Sequence, residues 1–273
     1  MKIKVLKFGG TSVGSVEAIK RSANIICDWS KKSKVIVVLS AMSGETDRLI
    51  NLTKSFSKSP NPVDFDNAIS TGENLSCALM SIYLNNQKTK SKSLHSWQIP
   101  IMTSSEHMKS RILSINKKFL LNELENLDVL VVPGFQGINE RREITTLGRG
   151  GSDTSAVAVA AAMDAECIIY TDVEGVFTTD PNIVPNAKKI NKISYEEMLE
   201  LASQGAKVLQ TRSVELAMRK NTKLSVRSSL KPKKIGTIIT DEKSVLEKNT
   251  VSGIAYTKDE AKITLSRVLD KPG

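Results

Sequence analysis

Lys7-Phe8-Gly9-Gly10-Thr11-Ser12, directly after the strand-like run of residues 1–6, decides how the chain is read. A buried strand that breaks into two glycines beside a lysine lets backbone N–H groups approach an anion, and the lysine adds a point charge to that cradle. Residues 16–30 follow with apolar positions at Val16, Ile19, Ala23 and Ile26, a helical spacing whose N-terminal dipole favours the same anion. The expected ligand is a phosphate. Taken alone, the same residues also read as an ordinary turn beside a surface lysine. Two common phosphate loops do not fit. Gly9-x4-Gly14 has P-loop glycine spacing, but Ser15-Val16 stands where Lys-Ser/Thr is required, and no GxGxxG opens a helix after a strand.

Outward from this loop, short aliphatic runs alternate with helical patterns. Residues 35–39, 129–132 and 167–170 are near-continuous apolar stretches of strand length, as strands buried on both faces are. Helical spacing marks 46–57, 73–84, 111–125 and 154–163, and Ser194-Tyr195-Glu196-Glu197 opens a further helix over 194–203 with a capping box. Short strands are expected at 224–227 and 237–240. The β-α-β-α order implies an α/β fold: a mostly parallel sheet covered by helices on both sides.

The 273 residues suffice for one large α/β domain with a small appendage. A 40% apolar and 25% charged composition is ordinary for a soluble globular chain, and no apolar run approaches the roughly 20 residues a bilayer requires. The N-terminus enters a strand without a signal pattern, so a cytoplasmic location is expected. Cys27, Cys77 and Cys167 are odd in number and far apart, and read as reduced core thiols. The net charge of +10 is spread through solvated stretches such as 88–93 and 231–234, and aromatics, at 4%, do not interleave with them. A nucleic-acid platform would need that interleaving. No membrane and no nucleic acid are expected as partners.

Two further clusters carry chemistry. In Gly148-Arg149-Gly150-Gly151-Ser152-Asp153-Thr154, three glycines free the backbone around an arginine whose planar fork suits a carboxylate or phosphate. Asp153 also reads as a helix cap. The segment Thr171-Asp172-Val173-Glu174-Gly175-Val176-Phe177-Thr178-Thr179-Asp180-Pro181 follows a strand, where open parallel sheets collect ligands. His95 and His107 stand apart from any carboxylate or cysteine at ligand spacing, so neither a metal nor an acid–base role is expected. No Ser-His-Asp arrangement can be proposed on any motif.

Together the segments KFGGTS (7–12), SxGE (70–73), PGFQG (133–137), TTLGRGGSD (145–153), TDVEGVFTTDP (171–181) and GAKVL (205–209) resemble the amino-acid kinase family and, within it, the aspartate kinases. The resemblance implies a three-layer α/β/α sandwich (the amino-acid kinase fold) over residues 1–247. About 1–144 would form the amino-acid-substrate lobe and about 145–247 the nucleotide lobe. Residues 248–273 resemble a linker and the first strand, at 261–268, of an incomplete ACT regulatory module.

The implied reaction is transfer of the ATP γ-phosphoryl group to the side-chain carboxylate of L-aspartate, toward lysine, threonine, methionine and diaminopimelate. Such an acceptor, with a pKa of about 3.9, is ionised at pH 7 and needs no general base. By the same resemblance Lys7, Asp153 and Lys207 are catalytic, and Thr46, Glu73, Arg149 and Ser152 bind the amino acid. Lys7, Gly9, Gly10, Ser12, Thr171, Asp172, Phe177, Asp180 and Lys207 fall on ATP positions. Mg²⁺ would arrive on ATP, with no separate metal site. The family usually has tyrosine at Phe177 and arginine at Asn182, so this chain lacks a hydroxyl and a guanidinium on the nucleotide side. The implied protein partner is a second copy or a separate ACT-containing chain. The alternatives are a kinase of the same fold acting on glutamate, acetylglutamate or UMP, and a non-catalytic nucleotide-responsive protein.

Overall fold

The aliphatic runs form the centre of the molecule, covered on both faces as parallel strands require. The computed structural model describes residues 2–99, 101–206, 208–241 and 253–255. In chain order the first strands are β1 (Ile3–Phe8), β2 (Lys34–Leu39), β3 (Ser91–Ser93), β4 (Ile101–Thr103), β5 (Ile112–Ile115) and β6 (Val129–Pro133). They are followed by β7 (Gln136–Ile138), β8 (Ile144–Thr146), β9 (Glu166–Thr171), β10 (Lys192–Ser194), β11 (Leu224–Ser228) and β12 (Thr237–Thr240). The helices are α1 (Gly10–Val13), α2 (Val16–Ser30), α3 (Glu45–Phe56), α4 (Pro62–Ile69) and α5 (Thr71–Asn86). Beyond them lie α6 (Lys117–Glu125), α7 (Gly151–Ala162), α8 (Tyr195–Ser203) and α9 (Thr211–Lys220).

The larger sheet runs β10-β12-β11-β9-β1-β2-β6-β3, and only the β11–β12 pair is antiparallel. A smaller sheet, β5-β4-β7-β8, flanks it. Strand periodicity divides the core in two. Val5, Ile36, Val38, Leu130, Val132, Cys167 and Ile169 pack with α6, α7, α8 and α9. Their neighbours Leu6, Phe8, Val35, Val37, Leu39, Val131, Ile168 and Tyr170 pack with α2 and α5 on the opposite face. This is a three-layer α/β/α sandwich. β1 lies between β2 and β9, and the chain crosses β1 after β6 to begin β9 on its other side. That reversal opens a crevice at the carboxyl end of β1, where Gly9 begins.

Most expected elements are present, and α2 and β12 have the expected bounds. The capping box at Ser194 is formed, with Glu197 N–H donating to the serine hydroxyl and Ser194 N–H to the glutamate. The helix expected over 111–125 begins only at Lys117. Residues Ile112–Ile115 instead pair antiparallel with β4, and the Asn116 side chain caps the helix by accepting from Phe119 N–H. Ile112 and Ile115, whose i, i+3 spacing fits one turn of helix, are strand residues packed on the core edge. The three cysteines are free thiols, Cys77 and Cys167 buried and Cys27 half-buried. The strand expected at 261–268 and the ACT-like segment around it lie outside the described residues.

Candidate active site

Alternation along β1 places Lys7 on the same face as Val5, the face covered by α7. The α7 helix starts at Gly151, three residues earlier than its apolar pattern suggests, because Gly150 takes a left-handed conformation (φ +72°) as its N-cap. Asp153 therefore sits in the first turn and is not the cap. Its Oδ1 lies 2.6 Å from Lys7 Nζ, and both side chains are 11% exposed. Two motifs about 150 residues apart thus meet in one ion pair at the mouth of the crevice.

Around this pair is a cavity of about 390 Å³. From the substrate-binding expectations it gathers Thr46 on the first turn of α3, Glu73 on α5, Arg149 and Ser152. Gly10 lines it as well, so the glycine pair of the opening motif borders the same space. Glu73 is 3% exposed. Its Oε1 accepts from Ala41 N–H at 3.1 Å, while Oε2 is buried without a hydrogen-bond partner among the described residues. Burial pushes its carboxyl up from the ordinary 4.5 to about 8. Arg149 is exposed on the rim.

The residues expected on the nucleotide side are placed differently. Gly9, Ser12, Thr171, Asp172, Phe177 and Asp180 do not line the cavity. Gly9 follows β1 and Thr171 ends β9, and the Phe8–Tyr170 register makes these strand ends neighbours. Ser12 is buried, and its hydroxyl donates to Ser229 Oγ at 3.0 Å, while Ser229 N–H donates to the Thr171 carbonyl at 2.8 Å. Thr171 Oγ1 donates to Asp172 Oδ1 (3.0 Å) and Asp180 Oδ1 accepts from Asn182 N–H (2.9 Å), so both carboxylates shape the loop after β9. Phe177 bridges to Lys189. Lys207 lies outside the described residues. Among the described residues no group of three or more His, Cys, Asp or Glu could hold a metal ion, and no helix is long and apolar enough to cross a membrane.

Several contributors escaped the sequence reading. Ser40 to Ser43 line the cavity directly after β2, and Gln210 closes it beside Gly150. The carboxyl-end rule that found Lys7 applies equally to β2, so the first group was detectable. The surroundings of His107 were also hidden: its Nδ1 lies 2.8 Å from Asp66 Oδ2 and its Nε2 3.5 Å from Glu143 Oε2. Spacing along the chain cannot reveal a contact across 41 residues.

Gly150 is the tightest point of the wall. A methyl group there would lie 2.1 Å from Gln210 Cγ, at a φ that L side chains rarely adopt. Gly150→Ala is expected to cost about 1–3 kcal/mol in urea denaturation and to lower turnover with it.

The comparisons with known proteins place this fold and cavity among kinases. The amino acid kinase family matches over residues 2–228. An aspartate kinase of Pseudomonas putida is 49% identical across 276 aligned residues, covering 100% of this chain and 67% of its own length. The crystal structure of aspartate kinase from Synechocystis superposes with a TM-score of 0.78 at 44% identity, covering 88% of this chain and 40% of that one. That of E. coli aspartokinase III in complex with aspartate and ADP gives 0.76 at 27%, covering 88% and 65%. The chain thus spans about two thirds or less of these relatives' lengths. It belongs to the amino acid kinase family, on its aspartate kinase branch.

Proposed function

We propose that the chain transfers the γ-phosphoryl group of ATP to the side-chain carboxylate of L-aspartate, giving 4-phospho-L-aspartate for amino-acid biosynthesis. The observation that carries this reading is the pairing, in one cavity, of a buried carboxylate with an unpartnered oxygen and a rim guanidinium. Glu73 Oε2 complements an ammonium and Arg149 an α-carboxylate, so together they recognise a free amino acid. UMP has no ammonium to offer Glu73, and an N-acetylated acid has lost its own.

The chemistry follows from charge. The acceptor carboxylate is already a nucleophile, and what opposes reaction is its repulsion from the anionic γ-phosphoryl group. Lys7, held at the cavity wall by Asp153, supplies positive charge where these anions meet and where charge develops in the transition state. Thr46 and Ser152 stand on the cavity wall to orient the acceptor, and Gly10 lets the backbone approach the phosphates. On this reading ATP lies across the ends of β1 and β9, with Gly9, Ser12, Thr171, Asp172, Phe177 and Asp180 along its path and Lys207 as a second phosphate-stabilising cation. Residues of about 1–144 would then form the aspartate lobe and about 145–247 the nucleotide lobe. Mg²⁺ enters as Mg·ATP, held mainly by phosphate oxygens. We place the protein in the cytoplasm, with a second copy or an ACT-containing chain as its protein partner.

The test is ATP-dependent turnover with L-aspartate, L-glutamate and UMP offered separately, read as hydroxamate for the two amino acids, whose acyl phosphates react with hydroxylamine, and as ADP release for UMP, whose product does not. Turnover with aspartate and little with the others is expected. Folded protein that turns over glutamate or UMP but not aspartate would overturn the assignment.

A further inference from the structure

Arg149 reaches the cavity from a loop that gives its side chain little support. It is exposed, and Gly148 (φ +78°) and Gly150 (φ +72°) flank it. Where the guanidinium sits is therefore set by the backbone that launches it, and at Thr146 and Leu147, just before the glycine loop, each backbone N–H and carbonyl is paired. The Thr146 N–H donates to Asp66 at 3.0 Å, and the Thr146 carbonyl accepts from both the N–H and the hydroxyl of Ser110, each at 3.0 Å. The Leu147 N–H donates to the Phe135 carbonyl at 2.8 Å, and the Leu147 carbonyl accepts from Arg212 Nη1 at 2.9 Å.

The centre of this brace is Asp66 on α4, which has no exposed surface. Its carboxylate accepts from Thr146 N–H, from Thr146 Oγ1 (2.6 Å), from Met108 N–H (3.0 Å) and from His107 Nδ1 (2.8 Å). All four donors belong to the two segments beside the glycine loop, 107–108 and 146. Arg212 ties the adjoining residues together, since its Nη1 reaches the Leu147 carbonyl and its Nη2 donates to the Ser110 carbonyl at 2.8 Å. The Met108 carbonyl lies where a Gly148 methyl group would meet it at 3.0 Å. A buried carboxylate is a costly way to fill a core, and an apolar side chain would pack there more cheaply. What the carboxylate adds is direction: it ties the end of β8 to the turn between β4 and β5.

We propose that Asp66 and His107 are positioning residues that set where Arg149 meets the aspartate α-carboxylate, acting through Thr146 and Ser110. This rests on the aspartate reading of the cavity, and neither side chain lines that cavity.

The experiment measures KM for aspartate and for Mg·ATP in wild type, His107→Ala, His107→Asn and Asp66→Asn, each with and without Arg149→Ala. His107→Ala is expected to raise the aspartate KM about tenfold and leave the ATP KM within about twofold. His107→Asn keeps a donor near the Nδ1 position and should restore most of the loss. In the Arg149→Ala background the His107→Ala effect on aspartate should vanish, because the group being positioned is gone. Asp66→Asn retains the size of the side chain and should shift in the same direction, covering the case in which the alanine variant does not fold. A parallel rise in both KM values, or an undiminished effect without Arg149, overturns the proposal. Hydrogen exchange at residues 146–151 reads the brace without turnover: faster exchange in His107→Ala is expected, and unchanged protection overturns it. Absence of aspartate turnover in wild type would instead strike the reading of the cavity.

Discussion

Lys7→Ala is expected to lower kcat by about 10²–10³-fold while changing the aspartate KM little, because the ammonium of Lys7 acts on charge that develops in the transition state. Glu73 and Arg149 would still hold the amino acid. The substitution has a second effect that must be separated from the first. Lys7 and Asp153 are paired at 2.6 Å with little exposure, so removing one partner leaves the other charge nearly buried and costs on the order of 3 kcal/mol of stability. Pairing Lys7→Ala with Asp153→Asn removes that stranded charge. The double variant should regain stability in urea denaturation and remain catalytically poor. Recovery of kcat along with stability would mean that Lys7 serves the fold and not the chemistry.

Glu73→Gln should raise the aspartate KM by about 10²-fold, since it removes the charge that would receive the substrate ammonium inside a desolvated wall. Its pH behaviour distinguishes this role from packing. In the free protein burial raises the Glu73 carboxyl from 4.5 to about 8, so at neutral pH it holds a proton that an ordinary glutamate would have lost. Bringing the substrate ammonium against it favours the carboxylate and releases that proton. Aspartate affinity should therefore strengthen as pH rises from about 6 to 8, with close to one proton released per aspartate bound at the lower end. Calorimetry in two buffers of different ionisation enthalpy measures this directly.

Stability moves the other way. A folded pKa above the unfolded one contributes stability that is complete below about 4.5 and is lost as pH rises through about 8. Relative to wild type, ligand-free Glu73→Gln should gain stability across that window, on the order of a few kcal/mol. Equal pH slopes for the two proteins would remove Glu73 from the account.

How much of this could be read from the chain depended on the range of the interaction. The β1, β2, β6 and β9 strands announce themselves because strands buried on both faces carry unbroken aliphatic runs. Lys7, Glu73, Arg149 and Asp153 were legible because each belongs to a motif with family resemblance, and the structure places all four around one cavity. The short strands of the smaller sheet were not, since three or four residues carry too little periodicity. Residues 112–115 show the limit: an Ile-Leu-Ser-Ile stretch beside a helix fits either period, and its partner β4 decides it.

Long-range polar contacts were equally hidden. Nothing near Asp66 in the chain points to Thr146, 80 residues on, and nothing near Ser12 points to Ser229, to which its hydroxyl donates. The glycines around Arg149 signalled a close backbone approach without saying what would hold that backbone.

The claim at the centre of the account is that Glu73 and Arg149 grip the α-amino and α-carboxylate groups, leaving the side-chain carboxylate to face Lys7 and ATP. Borohydride trapping tests that orientation, because it reduces an acyl phosphate to the corresponding alcohol. Reaction of the protein with ATP and L-aspartate, followed by reduction, is predicted to yield homoserine, the alcohol from the 4-phosphate. Recovery of 3-amino-4-hydroxybutanoate, from phosphorylation of the α-carboxylate, would contradict it, as would ATP consumption with no amino alcohol at all.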